Sequence, residues 1–390
     1  MPIINRVAEI SKDVVAWRQH LHQHPELMYD LPQTAAFVAE KLRGFGCDEV
    51  VEAIGRTGVV AVIKGRSTAS GKVIGIRADM DALPIHEEAD VEFPSLVPGR
   101  MHACGHDAHT AILLGAARHL AETRNFDGTA VIIFQPAEEG GAGARAMIED
   151  GLLDRFAIQQ VYGLHNMVNL PVGQFALRPG AMMASTDKFT ITISGRGGHA
   201  ARPHEAIDPV VVAASLIMNL QTIAARNVDP LQSAVVTVGA IEGGEAFNVI
   251  PETARLVGTT RALDAAVRDL CQQRIETMTH QLCVAYGATA DISYERGYPV
   301  VVNEPEATEI LADTARDVGG MHSVDTDLTP VMGAEDFAYM LQERQGAYIF
   351  LGIGPSAPHH HPRYKFNDEA VPYGVSLWAR LIERTMPLSA

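Results

Sequence analysis

Eight consecutive residues, HACGHDAH at 102–109, hold three histidines, a cysteine and an aspartate, and Cys104 is one of only four cysteines in the chain. Imidazole, thiolate and carboxylate are the side chains that bind divalent metals. Three further stretches add candidates of the same kind. The run TAVIIFQ (129–135) leads into PAEEGG, which sets Glu138 and Glu139 beside a glycine-rich turn. The run QVYGLHN (160–166) carries His165 near its end, and His359, His360 and His361 stand together in a C-terminal loop. In open α/β sheets, sites form beyond the carboxyl ends of the strands. Each motif alone has an ordinary reading, since a Cys-x-His pair can be packing and Glu-Glu before Gly-Gly can be a solvated turn. Their convergence on strand ends favours a metal site.

Adjacent glutamates suit such a site. One carboxylate can ligate while its neighbour takes the proton of a water made acidic by the cation. The same carboxyl, once protonated, can deliver that proton to a departing amine. This is the chemistry of amide hydrolysis, and it requires no serine or cysteine nucleophile.

The elements that must position these residues follow from apolar patterning. Runs at 58–65, 72–79, 129–135 and 160–166 read as strands and 108–123 and 143–153 as helices. Continuous Val/Ile runs separated by helices imply a sheet covered on both faces. The rhythm then changes. KFTITISG (188–195) alternates, a helix covers 208–225, strands follow at 233–243 and 253–263, and a long helix from Asp264 to about Tyr286 precedes a strand at 290–294. That βαββαβ order is the ferredoxin-like split unit. From Gly297 the α/β character returns, with a helix over 304–318, a strand at 347–354 and a last helix near 370–385. The expected fold is α/β, a central mixed sheet flanked by helices with an inserted ferredoxin-like α+β domain. The catalytic domain is expected over 1–184 and 296–390 and the insert over 185–295.

Composition narrows the partners. A chain of 390 residues is long enough for two domains, and 47% apolar with 20% charged residues is ordinary globular usage. A formal net charge of −16 argues against nucleic acid or an anionic membrane as partner. The uncharged stretch 209–225 includes Asn219 and Gln221, and Asp208 before Pro209 reads as a helix N-cap, so a packed helix is expected there rather than a membrane span. No Cys-x-x-Cys pair occurs among Cys47, Cys104, Cys271 and Cys283, and the start MPIINRVAEISKDVVAW has no basic segment followed by an apolar run. A cytoplasmic setting is expected.

At this point the sequence resembles the metal-dependent aminoacylase and amidohydrolase family that includes hippurate hydrolases, plant auxin-conjugate hydrolases and, more distantly, carboxypeptidase G. The likeness runs through RQHLHQHPEL (18–27), GIRADMDALPIHE (75–87), MHACGHDAHTAILLGAA (101–117) and FQPAEEGGAGARAMIEDG (134–151). It continues in GLHN (163–166), GRGGHAARPHEAIDP (195–209), NVIPETARLVGTTR (248–261), GAEDFAYM (333–340) and HHPRYKFND (360–368). The resemblance implies two divalent ions per chain, held by Cys104, His106, Glu139, His165 and His360, with His359 or His361 open as alternatives to His360. Zinc, manganese, cobalt and nickel all suit that ligand set. Glu138 would be the general base and acid, and Asp81 would orient a metal-bound histidine. Distant relatives place a His-x-Asp pair where this chain has Asp79-Met80-Asp81, and Cys104 is read as replacing the missing histidine.

In the insert, His199 matches the family's lid histidine, which reaches the reacting carbonyl in a partner subunit. Asn248 and Arg261 resemble residues that bind the substrate's polar end, an arginine fork being suited to a carboxylate. The implied function is hydrolysis of N-acyl amino acids (acetyl, benzoyl or a similar aromatic acyl) by a homodimer. A dipeptidase or carboxypeptidase on the same scaffold is the alternative. A metal-dependent binding protein without turnover is a third reading, against which the unligated Glu138 speaks. His20, His22 and His24 in RQHLHQHPEL, the glycine-rich GGEAFN (243–248) and Met182–Met183 are read as structural.

Overall fold

The computed structural model describes residues 3–388. The chain divides into two compact units, one of residues 1–180, 302–329 and 336–390, the other of residues 181–301 and 330–335. The first is built on strands β1 (Glu49–Ile54), β2 (Gly58–Lys64), β3 (Val73–Asp79), β4 (Thr129–Gln135), β5 (Gln160–Met167), β6 (Phe175–Ala176), β7 (Val324–Asp325) and β8 (Gln345–Gly352). They form one eight-stranded sheet in the order β1-β2-β4-β3-β5-β8-β6-β7. The central pairs β4/β3, β3/β5 and β5/β8 are parallel, while β1/β2, β2/β4 and β8/β6 are antiparallel. The sheet is therefore mixed.

Its flanking helices include α1 (Asn5–Gln23), α2 (Pro32–Gly44), α3 (His106–Thr123), α4 (Pro305–Gly319) and α5 (Val371–Thr385). Helix α3 is apolar nearly all round and packs against α1, α5 and β3, which is why AHTAILLGAARHL has almost no polar stripe. The chain leaves β3 for β4 on one side and then crosses back to β5 on the other. In open α/β sheets such a reversal is where the loops beyond the carboxyl ends of the strands diverge and ligands bind.

The second unit holds a four-stranded antiparallel sheet whose spatial order is 234–242, 253–262, 185–194, 289–296. Two helices, Pro209–Thr222 and Ala265–Tyr286, cover one core of Phe189, Ile191, Ile193, Leu216, Leu220, Leu256 and Ile275. Both begin on an aspartate N-cap: Asp208 accepts from the Val210 and Val211 N–H groups, Asp264 from those of Ala266 and Val267. With its terminal π-turn, Pro209–Asn227 is long and apolar enough to cross a membrane by length and composition. Here one of its faces, with Val212, Ala213, Leu216 and Leu220, lies in the unit's core.

Differences from the sequence reading have local causes. The helix expected over 143–153 stops at Glu149 and restarts at Leu152, because Gly151 takes a left-handed φ of 84° between the two pieces. Strand β1 escaped detection because EVVEAI is a half-exposed edge without a run of buried apolar residues. The two-residue strands β6 and β7 are too short to carry any period.

Candidate metal centre

The tips of β3, β4 and β5, the start of α3 and the loop after β8 bring their polar residues together. Cys104 Sγ lies 3.3 Å from His165 Nε2, and His360 Nε2 lies 3.2 Å from Glu139 Oε1. His106 Nε2 stands 4.0 Å from Glu139 Oε1. Three overlapping groups, Cys104/His106/His165, Cys104/Glu139/His360 and His106/Glu138/Glu139, each have their ligand-type atoms within 4.8 Å of one another. The five residues expected as ligands, and Glu138, thus share one cluster in the first unit.

The donor set fits divalent metal. His106 donates Nδ1–H to the Asp81 carbonyl at 2.8 Å, and His165 donates Nδ1–H to the Asn166 carbonyl at 2.7 Å. Each ring is thereby oriented with its Nε2 facing the cluster. His106 Nε2 is buried and carries no hydrogen bond among the described residues, and Glu139 Oε1, also buried, faces the His360 ring. Buried polar atoms left without a hydrogen bond are what a metal would complete. Of the three consecutive histidines, His360, at a left-handed φ of 63°, is the one whose ring joins Cys104 and Glu139. His359 instead donates Nε2–H to Asn166 Oδ1 at 2.8 Å, and His361 Nδ1 accepts the Arg363 N–H at 3.1 Å.

Burial pushes the Cys104 thiol up, and the charge of Glu139 adds to it. Hydrogen bonds to Cys104 and Glu139 hold His360 up at about 10. Burial would raise the Glu139 carboxyl, but the His360 hydrogen bond and the charges of His106 and His360 bring it below its usual range.

Asp81 acts on the glutamates. Its Oδ1 accepts the Glu138 N–H at 2.9 Å and its Oδ2 the Glu139 N–H at 3.1 Å, which fixes the turn carrying both. The acceptor on His106 is the Asp81 backbone carbonyl, with the carboxylate 3.7 Å away. The Asp81 main chain thus meets His106, and its side chain meets the turn of the two glutamates.

Several residues that sequence reasoning passed over support the cluster. His109 donates Nδ1–H to Asp79 Oδ1 at 2.7 Å, and its Nε2 accepts the Asn166 N–H at 3.0 Å. Both ring nitrogens are engaged, so His109 is a strut, although it belongs to a further ligand-type trio with Asp79 and His106. Asp79 Oδ2 accepts from Arg77 Nη1 at 2.7 Å, and Arg77 donates onward to Gln135 and Asp336 at 2.8 and 2.9 Å. Burial opposes charge on Asp79, but His106, Arg77 and His109 hold its carboxyl well below the usual range. Asn166 donates to the Cys104 carbonyl and accepts from Tyr364. The only available signal was that Asp79 and His109 lie inside the motifs already quoted.

His199, Asn248 and Arg261 belong to the second unit. His199 and Asn248 are neighbours there: His199 pairs with Val249, and the Asn248 carbonyl accepts the Ala200 N–H at 3.1 Å. Both side chains are exposed. Arg261 is half-buried on strand 253–262 and donates to Thr259 and to the Thr260 carbonyl.

Fold and site together define a metal-dependent hydrolase. The chain belongs to the peptidase family M20/M25/M40, whose pattern matches residues 75–384. It is 41% identical to a hippurate hydrolase of Campylobacter jejuni, with 98% of each chain covered. It is 39% identical to a thermostable carboxypeptidase of Saccharolobus solfataricus, with 97% of this chain and 96% of that one covered. Among solved structures, a dinuclear metal-binding peptidase of Bacillus subtilis superposes with a TM-score of 0.84 at 33% identity, with 97% of this chain and 99% of that one covered. The chain is accordingly a member of a family of metal-dependent enzymes that cleave amide and peptide bonds, with overlapping ligand clusters of the dinuclear kind.

Proposed function

We propose that this protein hydrolyses the amide bond of N-acyl amino acids, the acyl group being acetyl, benzoyl or a similar aromatic group. The observation that carries the reading is the Glu138–Glu139 turn, held by both oxygens of Asp81, with Glu139 beside Cys104 and His360 and Glu138 beside His106. In this reading Cys104, His106, Glu139, His165 and His360 hold two divalent ions, zinc, manganese, cobalt or nickel. Bound there, the ions would supply Lewis acidity toward a carbonyl and would make water acidic enough to react near neutral pH. Glu138, buried and next to the ligands, takes the proton of the attacking water and passes it to the departing amine nitrogen. Asp81 keeps the two carboxylates in register.

The second unit is assigned as the ferredoxin-like lid and dimerisation domain, over 185–295, between the two parts of the catalytic domain (1–184 and 296–390). Its sheet order supports this, for counted along the chain it reads 2-3-1-4. His199 of that domain would stabilise the carbonyl oxygen in a partner subunit, while Asn248 and Arg261 would hold the amino acid's polar end. The likeness to a hippurate hydrolase favours an aromatic acyl group. The likeness to a carboxypeptidase keeps peptide cleavage as the second reading. Turnover of hippurate, N-acetyl amino acids and dipeptides, measured side by side, separates them.

The mechanistic test separates the two glutamates. Glu138→Gln is expected to keep its metal and to lose turnover at or beyond the upper end of the roughly 10²–10⁴-fold that general acid–base groups contribute. Glu139→Ala is expected to lose metal as well as activity. Metal content by mass spectrometry, read beside turnover, decides. If Glu138→Gln is demetallated while Glu139→Ala is not, the pair is assigned backwards. Nearly normal turnover in Glu138→Gln with metals in place would refute the mechanism.

A further inference from the structure

Helix α1 carries RQHLHQHPEL, whose histidines the sequence marks only as structural. Arg18 and His22, one turn apart, are both buried, their side chains 2% and 7% exposed. Both donate to one oxygen of the residue that follows His106. Arg18 Nη1 reaches Asp107 Oδ2 at 3.1 Å, and His22 Nδ1 reaches the same atom at 2.9 Å. Arg18 Nη2 also donates to Asp368 Oδ2 at 3.0 Å, and its Nε pairs with Asp368 Oδ1. His22 Nε2 donates to Glu87 Oε1 at 3.0 Å, and Glu87 Oε2 accepts the Ser95 N–H at 2.6 Å. Phe93 from the same loop covers the Arg18 guanidinium at 4.7 Å. Burial disfavours a charged His22, but Asp107 and Glu87 outweigh it and raise its pKa to about 9, so both ring nitrogens carry hydrogens.

One face of α1 thus ties down three segments: the first turn of α3, the chain that follows His360, and the 83–101 loop. Packing alone does not call for this. Well-packed apolar residues of similar volume generally serve as well as a buried ion pair, whereas a fixed charge network holds its members in one geometry. The segment it holds is short. Cys104, Gly105, His106 and Asp107 follow one another directly, with Gly105 at a left-handed φ of 86°. Among the described residues the His106 ring has one hydrogen bond, to the Asp81 carbonyl. Its aim therefore depends on the main chain on either side, and Asp107 is the anchored neighbour.

We propose that Arg18 and His22 are positioning residues that aim His106 and Cys104 at the metal by anchoring Asp107. The inference rests on the reading of Cys104 and His106 as ligands.

The test is a cobalt(II) titration of metal-free protein. It follows the thiolate-to-cobalt charge-transfer absorption of Cys104 and measures affinity by competition with a chromophoric chelator. His22→Leu removes both hydrogen bonds, whereas His22→Asn keeps an N–H where Nδ1 donates to Asp107. His22→Leu and Arg18→Met are expected to weaken cobalt binding by about 10–100-fold, as loss of outer-shell partners does, and to shift the charge-transfer band. His22→Asn is expected to stay close to wild type in both readings. Each variant is scored only where circular dichroism and hydrodynamic radius match wild type; if Arg18→Met does not fold, the His22 pair decides. The proposal is overturned if His22→Leu binds cobalt with the affinity and spectrum of wild type. It is also overturned if His22→Leu and His22→Asn lose affinity equally. A saturated wild type without a charge-transfer band would refute the ligand reading itself, and the inference with it.

Discussion

At the scale of single residues, the site depends on groups whose protonation opposes the metal they would hold. Cys104 is pushed up by burial, and His360 is held at about 10 by its bonds to Cys104 and Glu139. At neutral pH both therefore carry protons in the metal-free protein, and both must release them to ligate. The sign follows: affinity is lowest in acid, rises with pH through neutrality, and stops rising only as the raised pKa values are passed. Competition titrations between about pH 6 and pH 9 are expected to show a slope steeper than one proton per ion, matched by proton release in weakly buffered solution. An affinity flat in pH would contradict the assignment of Cys104 and His360. The metal-ligating types were legible in the sequence because they cluster in short motifs. Their struts were not. Asp79 meets His109 across 30 positions and Asn166 meets His109 across 57, separations at which no local period links partners. His22 looked idle for the same reason, with its carboxylate 85 positions away.

At the scale of elements, the cluster depends on how α3 begins. Gly105 precedes the helix at a φ of 86°, and a Cβ there would stand 2.5 Å from Asn166 Nδ2 and 2.6 Å from the Tyr364 hydroxyl. Those two atoms belong to the network that holds the Cys104 carbonyl. Gly105→Ala therefore meets a backbone cost of roughly 1–2 kcal/mol and an overpacking cost of typically 1–3 kcal/mol. Gly99 has a similar φ of 77° with nothing within 4 Å of its Cβ position. Gly99→Ala is expected to show the backbone cost alone, so denaturant midpoints should fall further for Gly105→Ala, and its metal affinity with them. Equal losses would mean that the close approach to Asn166 and Tyr364 carries no energy. The helix itself was legible in AHTAILLGAARHL. Its first turn was not, because a left-handed glycine sits between the cysteine and histidine, where an apolar pattern has no reach.

At the scale of the molecule, the change of rhythm after residue 188 marked a second folding unit, since alternation replaces continuous apolar runs when a sheet has only one covered face. What lies on the uncovered surfaces is not written in any period. On helix Pro209–Thr222, Val211 is 52% and Met218 71% exposed, seven residues apart and so on one face. Strand 234–242 lies at one edge of the four-stranded sheet, with Ile241 52% exposed. An exposed edge strand beside an apolar helix face is a surface that natural proteins cover, and a two-fold axis would let the same face and edge meet their copies. A homodimer through this unit is accordingly expected, and with it a place for His199 to act on a partner's substrate. Placing Glu at both Val211 and Met218 would set like charges against each other across such an axis, in a chain already at a formal −16. The double variant is expected to be a folded monomer by light scattering, with metal content unchanged and turnover sharply reduced. A wild-type chain that is monomeric and fully active would rule out the dimer and leave His199 without a partner's carbonyl to reach. A monomeric double variant that keeps full turnover would locate the whole active site within one chain, and His199 would then have to serve its own subunit.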